Sequence, residues 1–187
     1  GRPGEPRVVP GNPSEEPGRG TKQINPRNPI PRGTGPGAAI DAKLAPLPIG
    51  RGRRVREGSG IAILNFGALM TPALEAAEAL GATVADMRFV KPVDEDLILE
   101  LAETHDLLVT LEENAIAGGA GSAVTEFLNS RNLIQPVLQL GLPDTFVDHG
   151  KHGQLLAEVG LDAEGIRQAI KNRWDLTRQT DLLAAVK

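Results

Sequence analysis

Two stretches of this chain bring together side chains that could do chemistry. The first is Asp86-Met87-Arg88-Phe89-Val90-Lys91-Pro92, where three charges crowd the end of an apolar run. Arg88 and Lys91 can attract an anion there, or pair with carboxylates in a turn that Pro92 closes. The second is Glu112-Glu113-Asn114-Ala115-Ile116-Ala117-Gly118-Gly119-Ala120-Gly121-Ser122. A glycine-rich turn that opens a helix can cradle phosphate with its free N–H groups. This one lacks the Lys-Ser/Thr of a P-loop and the dinucleotide-binding glycine spacing, and two adjacent carboxylates would repel an anion. Close packing of the helix start, or of a partner's backbone, accounts better for the glycines. Of the histidines, His105 is expected in a surface turn, with His149 and His152 flanking Gly150-Lys151 in a loop. None has metal-ligand spacing with carboxylates, and no nucleophile–base pair is visible.

The elements that must carry these residues can be read from periodicity. Ile61-Ala62-Ile63-Leu64-Asn65-Phe66 is an apolar run stopped by Gly67, as in a strand buried on both faces. Thr71-Pro72 is expected to open a helix with Thr71 as its cap and Leu74, Ala77 and Leu80 inward, ending at Gly81. A strand over 82–88 and a helix capped by Asp94 follow, with Leu97, Ile98 and Leu101 inward and Glu95 and Asp96 at the positive end of its dipole. A strand over 107–111, a helix bearing Val124, Phe127 and Leu128, and a strand over 137–140 come next, then helices around 151–159 and 162–173. Alternation at this spacing predicts an α/β fold: three layers, a mainly parallel sheet with helices on both faces. Ahead of it, 51–57 suits an edge strand and 44–50 a short extended segment.

Composition divides the chain. Residues 1–60 hold 11 of the 20 Lys/Arg and 5 of the 24 Asp/Glu, together with 11 of the 15 prolines. Residues 61–187 carry a net charge of -10. We expect a disordered or extended tail over 1–28, a linker and edge segment over 29–60, an α/β domain over 61–174, and a C-terminal tail over 175–187 whose Leu182, Leu183 and Val186 sit at helical spacing but which is too short to stand alone. The absence of cysteine excludes disulfides and thiolate metal sites and suits a cytoplasmic setting. No run approaches the roughly 18 apolar residues of a membrane span. With one Trp, four Phe and no Tyr, base-stacking platforms for nucleic acid are not expected.

Four segments in order and spacing carry a family resemblance: Ile63–Gly67, Val84–Asp94, Thr110–Ser122 and Leu140–Asp144, continued by Gly160-Leu161-Asp162-Ala163. From about Pro31 to Arg173 the chain resembles the third, transketolase-like domain of the 1-deoxy-D-xylulose-5-phosphate synthases. The resemblance implies a condensation of pyruvate with glyceraldehyde 3-phosphate that releases carbon dioxide and feeds isoprenoid, thiamine and pyridoxal synthesis. It implies thiamine diphosphate and Mg²⁺ held by two domains with no counterpart here, a homodimeric parent enzyme, and no catalytic, cofactor or metal residue on this segment. The family's Arg-Tyr-Pro-Arg-Gly near the substrate phosphate corresponds to Pro29-Ile30-Pro31-Arg32-Gly33, so Arg32 is the candidate phosphate contact. Arg88, Glu112, Glu113, Asn114, Gly118, Gly119 and Gly121 are then expected to face the missing domains. Three roles stay open: an assembly domain inactive alone, a subunit of a split enzyme, and a binding module using its basic N-terminal tail.

Overall fold

In the computed structural model, residues 46–147 and 149–185 are described, with side chains as far as Gln179. The expected tail over 1–28 and Arg32 lie outside the described residues. The elements are β1 (Arg53–Arg56), β2 (Gly60–Phe66), α1 (Met70–Leu80), β3 (Thr83–Asp86), α2 (Glu95–Thr104), β4 (His105–Ala115), α3 (Ala120–Ser130), β5 (Val137–Leu142), α4 (His152–Glu158) and α5 (Ala163–Ala185).

The five strands form one sheet in the order β1-β3-β2-β4-β5, parallel except for β1, which runs antiparallel to β3. β2 is central: Ile63 lies beside Val84 of β3 and Val109 of β4. Its side chains alternate between two cores, as the period of a strand requires. Ile61 and Ile63 pack with Ala73, Ala77, Ile166 and Ile170 of α1 and α5. Ala62, Leu64 and Phe66 pack with Ile98, Leu101, Val124 and Phe127 of α2 and α3 on the other face. The three-layer architecture expected from the alternation is therefore the one observed.

Local details differ where side-chain chemistry overrides pattern. α1 starts at Met70, and its N-terminus has no side-chain cap, so Thr71 is not the capping residue. Pro72 is tolerated because the first intrahelical N–H belongs to Ala73, which donates to Leu69 O at 3.0 Å. The buried face is Ala73, Ala76 and Ala77, with Leu74 and Leu80 at its margin. Asp94 does cap α2, accepting from Leu97 N at 3.2 Å. Its second oxygen accepts from Gly52 N at 2.8 Å, which fastens the approach to β1. Residues 48–51 make a turn, with Arg51 N donating to Pro48 O at 3.3 Å, in place of an extended segment. α5 runs unbroken through Ala185, so the helical spacing noted after 175 continues the preceding helix.

The β1 edge is guarded by charge, which discourages pairing with another chain. Arg53 meets Asp86 at 3.4 Å, Arg54 meets Glu57 and Glu100, and Arg51 meets Asp94 and Asp96. Those two carboxylates, Asp96 foremost through its hydrogen bond, hold the Arg51 guanidinium protonated beyond its ordinary range. The arginine-rich run 51–56 is thus largely neutralised by the chain's own acids.

Candidate functional site

The connections leaving β2 and β4 diverge to opposite sides of the sheet, so the carboxyl ends of these strands form the crevice where open α/β sheets place their sites. Both sequence stretches singled out above end on this rim.

Glu112 is the best-defined residue there. It is 4% exposed, and its two carboxylate oxygens accept from Ala120 N at 2.7 Å and Gly121 N at 2.9 Å. The helix entry that resembles a phosphate cradle is therefore filled by the protein's own anion, in the position where a helix dipole favours negative charge. This corrects the expectation that Glu112 faces a neighbouring domain: its oxygens are spent internally. The glycines follow from the same contact. A Cβ on Gly119 would lie 2.4 Å from both Ala115 O and Glu112 Oε2, and one on Gly121 would lie 2.5 Å from Thr110 Oγ1. Gly118 is exposed and open to solvent, and its φ of +74° sets the turn.

Glu113 points away from Glu112, as the next residue of a strand must. It pairs with His152, which opens α4 and does not sit in a loop, and the pair stitches the β5–α4 connection onto the end of β4. Asn114 is exposed beside it. Arg88 has a φ of +61°, and its guanidinium lies 3.5 Å from Asp86, itself 3.4 Å from Arg53. That is a salt-bridged turn. Asn65 joins the two ends of the crevice: its side chain donates to Gly67 O at 3.0 Å and its carbonyl accepts from Met87 N at 2.9 Å.

His105 is also a correction. It is 8% exposed and opens β4 at the opposite end of the sheet. Nδ1 lies 3.1 Å from Leu101 O, which can only accept, so Nδ1 is the donor. Thr83 Oγ1, 2.8 Å from Nε2, also accepts from Gly58 N at 3.0 Å. The ring ties α2 and β3 to the start of β4. A three-sided polar network was not readable from a lone histidine after a helix.

A cavity of about 480 Å³ opens beside the Glu112 turn, between Asn114, Ala115 and Leu142 on one side and Pro143, Phe146 and Val147 on the other. Its floor is fixed, because Ala115 pairs with Leu142 across a bulge and Ile116 N donates to Leu142 O at 3.1 Å. Phe146 is fully exposed at its mouth. The sequence signal for it was an isolated aromatic in a polar loop of a chain with only four phenylalanines.

Residues 50–166, more than half the chain and all of this rim, match the family described as the transketolase C-terminal domain. The chain belongs to that family. It is 60% identical over 143 residues to a 1-deoxy-D-xylulose-5-phosphate synthase of Pseudomonas syringae pv. tomato, covering 76% of this chain and 23% of that protein. A synthase of Alkalilimnicola ehrlichii is 61% identical over 146 residues, 78% of this chain and again 23% of the relative. Among solved structures, a split gene transketolase in the form of an inactive β4 tetramer is similar with a TM-score of 0.65 at 35% identity, covering 70% of this chain and 44% of that one. The transketolase C-terminal domain here thus spans under a quarter of the length of these synthases.

The described residues of this domain offer no site that fits the thiamine diphosphate and Mg²⁺ implied by the family's enzymes. Among the described residues no group of three or more His, Asp or Glu side chains is placed to hold a metal ion. The two N–H groups that would suit a diphosphate are taken by Glu112.

Proposed function

We propose that this domain serves as the third domain of a 1-deoxy-D-xylulose-5-phosphate synthase, completing the assembly of an enzyme that condenses pyruvate with glyceraldehyde 3-phosphate. On this reading the cofactor is held elsewhere in the enzyme, the parent is a homodimer, and the domain contributes structure and surface. The observation that carries the reading is identity of about 60% to synthases over three quarters of this chain, with Glu112 closing the domain's anion cradle from within. Calorimetry of the isolated chain with thiamine diphosphate and Mg²⁺ is expected to show no saturable heat. Micromolar binding would overturn the reading.

A second reading is favoured by the split gene transketolase among the structural relatives. Here the chain is a separate subunit that restores activity to a partner carrying the cofactor domains. Mixing it with such a partner distinguishes the two: turnover that rises with added chain and saturates identifies a split enzyme.

A further inference from the structure

We propose that the Phe146 loop and the cavity beside it are the docking surface through which this domain engages the cofactor-bearing part of the synthase. The proposal rests on the function just proposed and names the surface that would serve it.

Among the described residues two large apolar side chains stand fully in solvent, Phe146 and Ile134, and they lie at opposite ends of the sheet, after β5 and before it. Their surroundings differ. Ile134 sits in the polar turn leaving α3, with the half-exposed Leu133 as its apolar neighbour in sequence. Phe146 adjoins Val147, Pro143 and Leu142 around a preformed cavity with a rigid floor. A contiguous apolar patch with an aromatic at its centre is the composition of an interaction site, and a buried aromatic in a pocket is its usual energetic anchor.

The occupant is argued from two observations. The synthases that this domain matches are more than four times its matched length, so most of such an enzyme remains to be contacted. Asp144, exposed in the same loop and outside every ion pair among the described residues, asks for a cation opposite it. The partner surface is therefore an apolar recess for Phe146 flanked by Arg or Lys. The glycine turn first expected to make this contact is committed to its own packing, and the contact moves to the adjacent loop.

The test co-expresses the full chain, tagged, with the Pseudomonas syringae pv. tomato synthase lacking its matched segment, and measures retention of that partner against salt. Phe146→Ser removes no internal contact, so unfolding should be unchanged while retention falls about tenfold, the scale of an anchor residue. Ile134→Ser should leave retention unchanged. Asp144→Asn should flatten the salt dependence. Equal loss in both apolar variants, or none in Phe146→Ser, overturns the surface while leaving the proposed function standing. No retention by the unaltered chain of a partner that circular dichroism shows to be folded overturns this surface and the split-subunit reading, while the third-domain reading is decided by the calorimetry above. If sedimentation shows that Phe146→Ser abolishes only self-association of the chain, the occupant is a second copy and the assignment is wrong.

Discussion

At the residue scale, the Glu112–Gly119–Gly121 contact decides whether the rim keeps its shape. A carboxylate one residue before solvent-facing Glu113 would ordinarily be a surface group, and here it satisfies two otherwise orphan helix N–H donors. Glu112→Ala should destabilise by about 2 kcal/mol, combining a lost cap with unpaired buried donors. Gly119→Ala should cost about 2–3 kcal/mol through overpacking, since the nearest atoms are a backbone carbonyl and the fixed carboxylate. Urea unfolding of each variant checks both, and a cost under half a kcal/mol in either would show that the turn relaxes freely. The glycines and the two acids were conspicuous in the sequence. Which of them turned inward was not, because that depends on the eight-residue return of the chain onto the end of β4.

At the element scale, periodicity found every buried strand and most helices, because β2, β4 and α2 each carry a strong apolar pattern. It misjudged ends. α1 starts on Met70 without a cap because its packing against β3 and α5 suffices, and α5 continues past 173 because Trp174 still packs on the core. Asp94 is the element-scale hinge of the edge: it caps α2, anchors Gly52 ahead of β1, and pairs with Arg51. Asp94→Ala should destabilise by about 2 kcal/mol through the cap and the freed Gly52 N–H. It should also speed hydrogen exchange in β1 well before β2, since local openings track the weakest unit. Uniform acceleration across the sheet would show that Asp94 does not hold the edge separately. Near the start of α5, Arg167 hydrogen-bonds Glu164 and holds its carboxyl below the ordinary range. Its small stabilisation should be present above that range and fade as pH falls through the lowered value.

At the scale of the whole molecule, the legible part was the alternation of strand and helix, which dictates a parallel sheet wrapped on both faces. Sequence could not supply the three-dimensional return of α5 to the beginning of β2, where Trp174 lies 3.0 Å from the position a Gly60 Cβ would take. Trp174 is the chain's one tryptophan, and the chain has no tyrosine, so its emission reports that contact alone. It is half-buried in the cluster formed by β2, β4, α1 and α5, with Arg178 stacked over its ring at 5.7 Å. If α5 belongs to the cooperative unit, denaturant should shift the emission to the red with the same midpoint and slope as the loss of helical circular dichroism. Trp174→Ala should then lower the midpoint by about 2 kcal/mol of stability, less than a fully buried aromatic would cost because part of the ring is already wet. A fluorescence transition that precedes the dichroism would mean that α5 peels away before the sheet unfolds. In that case the unit would end near Leu161, and the long helix would be an appendage to the fold and not one of its walls.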